Sequence, residues 1–427
     1  MTQFIFLLIF LSVLLDRYVY VRRMKKSNTK TKVLYFSTLT LIYVSMLATR
    51  LFHIAEMSDL LWLLFAFFMQ IFSKLAYFLV SVWGYLCPRY NNRGGIFDTF
   101  GILAALIVLF VISWGSFYVR NHPRIEYVDV QSARLPEVFD GYKIAFFSDL
   151  HVGSLPENNK LIEKLVQTLN SSGADMVAFG GDLVNIVPEE LDSTRVGLLS
   201  SIEPEVYSVL GNHDLGIYRK DPTGQDTEAK VTERMIALQQ SMGWTLLQNQ
   251  TTYLYKGGDS ISLTGVIFPE VGMNSAKGRQ SVKCDISSAY DSVPSSIFNV
   301  NISHTPESWP ALAGLDGRAD LTLSGHVHAM QSKMVIAGKV ISPASLLYKF
   351  VSGLYRSSEN IDDDDLEKAR SQAPYLNVEP YQILEKNLKV DGFDKLLYIN
   401  DGFGYVLLPT RIGCAPEVTI LTLRRVD

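Results

Sequence analysis

The apolar positions of this chain follow two patterns that meet near residue 120. Before that point they form long runs: Phe4 to Val21, Val33 to Leu51, Leu60 to Trp83 and Phe97 to Val119. Each has about the 17–25 residues that a helix needs to cross the hydrocarbon core of a bilayer. After Ile125 the runs shorten to strand length, and stretches of helical period separate them. Strands alternating with helices predict a layered α/β domain, with its site at the strand ends. The expected division is an all-α membrane domain of about four transmembrane helices over 1–120, followed by an α/β domain over 121–427.

Within the membrane part, Asp16 and Arg17 interrupt the first run, and Gln70 and Lys74 fall inside the third. The start has neither the basic residues nor the small-residue cleavage site of a signal peptide, so an uncleaved span is expected. Lys74 is expected to snorkel or to face a neighbouring helix. Arg22, Arg23, Lys25, Lys26, Lys30 and Lys32 crowd the first loop, and Arg89 and Arg93 lie in the third. The second offers little beyond Arg50 and His53. Cations gather on the cytoplasmic side, which places both termini outside and makes the domain after Tyr118 extracytoplasmic. The expectation is an integral protein of the plasma membrane.

In the second part, Lys143 to Ser148 reads as a buried strand ending at Asp149-Leu150-His151. A helix is expected from about Glu157 to Asn170, with Ser154 and Glu157 at capping-box spacing. Asp175 to Phe179 runs into Gly180-Gly181-Asp182, and a weaker helix covers Glu189 to Ser200. Val206 to Leu210 stops at Gly211-Asn212-His213-Asp214. Ile297 to Ile302 ends near His304, and Leu321 to Leu323 delivers Gly325-His326-Val327-His328. The acidic stretch Glu359 to Glu367 lacks the glycine and spacing of a calcium loop, and reads as a solvated loop or helix start.

Composition removes some alternatives. A net charge of -4 over 427 residues gives no nucleic-acid-binding signature. The cysteines Cys87, Cys284 and Cys414 stand far apart, which excludes a cysteine zinc site and a disulfide scaffold. Cys284 and Cys414 remain open as a pair or as free thiols. Of the 7 histidines, all but His53 and His122 fall in the strand-end clusters. Oxygen and imidazole donors recurring at successive strand ends point to a metal site.

The order of these clusters resembles the calcineurin-like metallophosphoesterase family, in a membrane-anchored or secreted branch. The matching stretches are Ser-Asp149-Leu-His151, Gly-Gly-Asp182-Leu-Val, Gly-Asn212-His213-Asp214, Ser-His304-Thr-Pro and Ser-Gly-His326-Val-His328. The resemblance covers about Ile125 to the end and implies a four-layer αββα sandwich. It implies one divalent cation on Asp149, His151, Asp182 and His328. A second would share Asp182 with Asn212, His304 and His326. His213 would face the substrate, oriented by Asp214. The chain departs from the pattern at Asn185 and at Ala329-Met330, and residues 357–396 look like an insertion.

The implied function is hydrolysis of phosphomonoester or phosphodiester bonds, including lipid-linked ones, by a hydroxide generated between two cations. The donor set suits manganese, iron, zinc or related ions. The rival readings are an inactive sensor or scaffold with the same fold, and an accessory domain on a transporter or channel.

Overall fold

The computed structural model describes the chain except residues 1, 53–56, 87–93, 157, 220–226, 269–283 and 427. Two compact units emerge: Met1–Arg120 with Leu407–Ile412, and Asn121–Val406 with Gly413–Asp427.

The first unit contains helices α1 (Thr2–Val19), α2 (Thr29–Phe52), α3 (Met57–Ser81) and α4 (Gly94–Phe117), one over each apolar run. Among the described residues, the stretches Trp62–Ser81 and Gly95–Asn121 are long and apolar enough to cross a membrane. The polar interruptions of the runs meet one another. Asp16 of α1 accepts hydrogen bonds from Tyr35 (2.9 Å) and Tyr43 (3.0 Å) of α2, and pairs with Lys74 of α3. Lys74 also reaches Gln70 one turn back on its own helix, and its pairing with Asp16 shows that it faces a neighbouring helix. An unpaired charge in such surroundings costs several kcal/mol, which explains why these groups occur together. Gly115 of α4 admits the chain at Arg411, whose carbonyl oxygen a Cβ there would meet at 2.7 Å. Arg89, Arg93, His53 and Cys87 lie outside the described residues.

The second unit is built on two sheets. Its strands are β1 (Arg124–Ser132), β2 (Lys143–Phe147), β3 (Met176–Phe179), β4 (Val206–Ser208), β5 (Thr245–Leu246) and β6 (Gln250–Lys256). Then come β7 (Asp259–Val266), β8 (Asn299–Ser303), β9 (Leu321–Ser324), β10 (Gly353–Arg356), β11 (Leu396–Ile399) and β12 (Glu417–Arg425). One 6-stranded sheet runs β1-β12-β2-β3-β4-β5, and the other β10-β11-β9-β8-β7-β6. Strands β2 to β5 are parallel in the first sheet; β7, β8, β9 and β11 are parallel in the second. Side chains alternate along each strand, so Ile144, Phe146, Met176 and Ala178 meet Leu263, Val300, Ile302 and Leu323 in a core between the sheets.

Helices cover the outer faces. Helix α5 (Lys160–Ser171) buries Leu161, Ile162, Leu165, Val166 and Leu169, and packs on the first sheet at β12. Next come α6 (Ser193–Ser200) and α7 (Glu228–Ser241). On the second sheet, Leu397 and Ile399 pack with Trp309 and Leu312 of α8 (Trp309–Gly314) and with Leu366 and Ala369 of α9 (Asp363–Gln372).

Several boundaries differ from the sequence reading. Helix α5 begins at Lys160, after Asn159 in a left-handed conformation (φ 54°), with no side-chain cap; Glu157 lies outside the described residues. Helix α6 starts after Asp192, which accepts the Arg195 N–H at 2.9 Å, while Pro188–Glu190 forms a separate turn. Strand β8 begins at Asn299, because Ile297 is still donating to the Pro294 carbonyl in a turn. The acidic stretch is a helix start, in which Asp362 accepts the Asp365 N–H and both carboxylates hold Lys349. Residues 357–396 build part of the outer layer through Leu366, Leu376 and Ile383. Cys284 and Cys414 are both buried and do not pair with each other.

Candidate metal centre

Parallel strands end at one edge of their sheet, and every candidate ligand follows such an end. Strand β2 delivers Asp149 and His151, β3 Asp182, and β4 Asn212 to Asp214. In the second sheet β8 delivers His304, and β9 delivers His326 and His328. The chain must turn sharply at these ends. Asp149, His151, Asp182, His326 and His328 all have positive φ, from 44° to 69°. Each costs roughly 1 kcal/mol for a residue with a Cβ, so the surroundings must hold the loops. They do so by exchange between loops: the Asp149 N–H donates to the Gly181 carbonyl at 2.8 Å, and the His151 N–H to the Asp182 carbonyl at 3.1 Å. Gly211 lies so close to the Asp182 loop that a Cβ would stand 2.5 Å from the Asp182 nitrogen.

Two donor groups result, with Asp182 common to both. Asp149, His151, Asp182 and His328 bring ligand atoms within 4.8 Å of one another, as do Asp182, His304 and His326. In the first group the Nε2 atoms of His151 and His328 are 3.2 Å apart, and His328 Nε2 is 3.1 Å from Asp149 Oδ1. In the second, His304 Nε2 stands 3.2 Å from Asp182 Oδ2. Asn212 Oδ1 lies 3.0 Å from His304 Nε2 and 2.9 Å from His326 Nδ1. His304 Nδ1 faces the Gly180 carbonyl at 2.7 Å, which directs a proton there and leaves Nε2 for a cation. Buried carboxylates and imidazoles converging in this way fit divalent cations of the borderline class.

Burial and mutual charge set the protonation of the cation-free groups. Burial works to raise the Asp149 carboxyl, but the His328 imidazole pulls it below the usual carboxylate range. Asp182 is likewise held far down, against burial, by His304. His304 is pushed up to about 9 because Asp182 outweighs burial. His326 falls to about 3 through burial and the nearby charge of His304. Burial and His213 hold His151 well below its ordinary value.

His213 stands at the edge of the cluster, its ring 4.8 Å from that of His151 and 4.3 Å from that of Tyr218. The expected orienting contact with Asp214 is not formed. The Asp214 carboxylate is turned inward and accepts backbone N–H groups of Gly211 (3.0 Å), Asp182 (2.9 Å), Leu183 (2.8 Å) and Val184 (3.2 Å). The reason is local: this turn leaves four donors unpaired, and a buried carboxylate satisfies them. Burial and the Asp182 charge push its pKa up to about 7.

Other residues at the site escape a motif reading. The His213 ring is held instead by the Asn185 carbonyl oxygen, 2.5 Å from Nδ1. The Tyr218 hydroxyl accepts from Asn212 Nδ2 at 2.8 Å, and Tyr348 stacks edge-on to His326 at 6.1 Å. After β11, the Phe403 N–H donates to the Ser148 carbonyl (2.9 Å) and the Gly404 N–H to the Asp149 carbonyl (2.8 Å). A Cβ on Gly402 would meet His328 Nδ1 at 2.7 Å, so this strap lies directly on the site. Asn400-Asp401-Gly402 is one more polar stretch after a strand, the signal that could have found it.

Comparison with known proteins places these residues in a wider group. A family model described as calcineurin-like phosphoesterase matches residues 142–330. A Danio rerio protein named transmembrane protein with metallophosphoesterase domain is 25% identical over 332 residues, 76% of this chain and 62% of that protein. The chain thus spans less than two thirds of the length of this relative. A Bacillus subtilis metallophosphoesterase is 24% identical, covering 79% of this chain and 98% of its own. A Campylobacter jejuni metallophosphoesterase is 27% identical, covering 91% and 98%. Among solved structures, the phosphopantetheinyl hydrolase of Mycobacterium tuberculosis is 16% identical and covers 48% of this chain and 89% of its own, with a TM-score of 0.30.

Proposed function

We propose that this chain, which carries the calcineurin-like phosphoesterase domain of a metal-dependent hydrolase, is a membrane-anchored phosphoesterase using two divalent cations. The observation that carries the reading is the sharing of Asp182 between the two donor groups. Two divalent cations there would supply positive charge to screen the phosphate and Lewis acidity to activate water. Asp149, His151 and His328 would hold one ion, and Asn212, His304 and His326 the other, with Asp182 bridging. A carboxylate suits that place because its two oxygens and negative charge bring cations together.

His213 ligates neither ion in this reading. With Nδ1 facing the Asn185 carbonyl, its Nε2 is left to meet a substrate oxygen. In its protonated form it would supply a proton to the departing alkoxide. Phosphomonoesters and phosphodiesters, lipid-linked ones included, fall within the class. The apolar helices serve as the anchor, and the loop cations favour about four spans with the catalytic domain outside the cytoplasm. The name of the Danio rerio relative supports a membrane setting.

The test is hydrolysis of p-nitrophenyl phosphate and bis-p-nitrophenyl phosphate by the purified full chain with added manganese. Activity that EDTA abolishes and manganese restores is the expected result. No hydrolysis of either ester, with metal bound, favours the scaffold reading.

A further inference from the structure

Beside the metal centre, Met334–Ile336 and Lys339–Ile341 form a two-stranded hairpin that carries its apolar side chains in the open. Met334, Val335, Ile336 and Ile341 are exposed, Val335 at 60%, and Leu346 and Leu347 follow at 87% and 53%. A free hairpin of this length is marginal in water, and an apolar patch of this kind marks a surface that something covers.

Three observations indicate the occupant. No acidic residue occurs between Asp320 and Glu359; within that stretch Lys339, in the hairpin, and Arg356 are exposed, while Lys333 is paired with Asp401 and Lys349 with Asp362 and Asp365. Exposed apolar side chains beside a lysine, with no carboxylate in the hairpin, suit the headgroup region of an anionic bilayer. A second copy of this chain packed two-fold on the same face would instead bring two Lys339 side chains into one interface, with no acidic residue of either hairpin to pair them. The chain also carries helices long and apolar enough to cross a membrane, so a bilayer is at hand. Lastly, the hairpin is tied to the site. The Ser342 hydroxyl donates to the carbonyl of Ala329 at 2.7 Å, next to His328, and Leu347 directly precedes the Tyr348 ring that packs on His326.

We infer that this hairpin, with Leu346 and Leu347, enters the headgroup region of a phospholipid bilayer, and that the site takes the phosphate ester of an amphiphile. The phosphate would lie on the donor groups and the hydrocarbon along the hairpin. The substrate half of this statement rests on the hydrolase reading; the bilayer half does not.

The full chain is reconstituted in vesicles of phosphatidylcholine with one-fifth phosphatidylglycerol, and a nitroxide is attached at Val335→Cys after Cys87→Ser. A second label at Gly258→Cys, in the turn between β6 and β7, is the reference. The label at position 335 is expected to collide with dissolved oxygen in preference to a water-soluble nickel chelate, and the label at position 258 to do the reverse. Water-like accessibility at position 335 overturns the bilayer contact, as does spin–spin broadening that reports a second copy. Val335→Ser/Ile336→Ser is then assayed on a vesicle-borne phosphate ester and on p-nitrophenyl phosphate. The ratio of the first rate to the second is expected to fall by at least about tenfold, as loss of two buried aliphatic side chains implies. An unchanged ratio overturns the amphiphile assignment. Inactivity of the unsubstituted chain on both esters removes the hydrolase reading, and with it the substrate half, while the nitroxide result still decides the contact.

Discussion

His213 Nδ1 lies 2.5 Å from the carbonyl oxygen of Asn185, while the carboxylate of Asp214, its neighbour in sequence, points the other way into a ring of backbone N–H groups. The two residues therefore have separate tasks, and substitutions should separate them. His213→Ala is expected to retain its cations and lose about 10²–10⁴-fold in kcat, most with alkyl esters that need a proton on the leaving oxygen. Metal analysis alongside rates on p-nitrophenyl and alkyl esters checks this.

Asp214→Asn should act on stability. The amide replaces one acceptor oxygen by an NH2 group aimed at donors, leaving buried N–H groups unpaired. A loss on the order of 2–4 kcal/mol is expected, measured as unfolding of the metal-free protein. A variant as stable as the parent would return Asp214 to the chemistry of His213.

Metal uptake should depend on pH through His304. Its cation-free pKa is raised to about 9, so below that pH the imidazole carries a proton that must leave before a cation can bind. Affinity is therefore expected to rise as pH increases from 6.5 toward 9, by up to about tenfold per unit. Calorimetry in buffers of different ionisation enthalpy should record proton release on binding. His304→Ala should flatten the pH dependence.

Much of this site was legible because its ligands are polar groups placed directly after apolar strands. Asp149, Asp182, Asn212, His304 and His326 stand out by that contrast alone, and the resemblance supplied the grouping. What the chain's linear pattern hides is the direction of a side chain. Nothing in Gly-Asn212-His213-Asp214 says that the carboxylate serves the turn while the imidazole serves the pocket. Nor could the pattern reveal that an Asn185 backbone oxygen holds His213, since every residue has one. The apolar runs located helices α1 to α4, but contact between Asp16 and Lys74 depends on helix pairing that periodicity does not encode. Likewise nothing in the sequence after His328 says that Met334, Val335, Ile336 and Ile341 stand in the open.

The Asp16–Lys74 pair permits a double-substitution test. Lys74→Met leaves a buried carboxylate without its cation and is expected to cost about 3 kcal/mol in the full chain. Combining it with Asp16→Leu should recover much of that loss, because no charge is then stranded. Thermal unfolding in detergent reads both. Additive losses would contradict the pairing.

Backbone strain behind the ligands gives a further expectation. Ala329 and Met330 have φ of 46° and 44°, a region that glycine enters without penalty. Ala329→Gly should stabilise the protein by up to about 1 kcal/mol, the left-handed cost exceeding the added chain entropy. A fall in stability would show that this turn is not strained.

Two cations sharing the Asp182 carboxylate is the central requirement of the proposed hydrolase, and manganese reports it directly. The full chain loaded with manganese should bind two ions and give the exchange-coupled electron paramagnetic resonance spectrum of a bridged pair, with Asp182→Ala losing both the coupling and the hydrolysis. One ion per chain, or an uncoupled spectrum in a protein that hydrolyses phosphate esters at full rate, would contradict it.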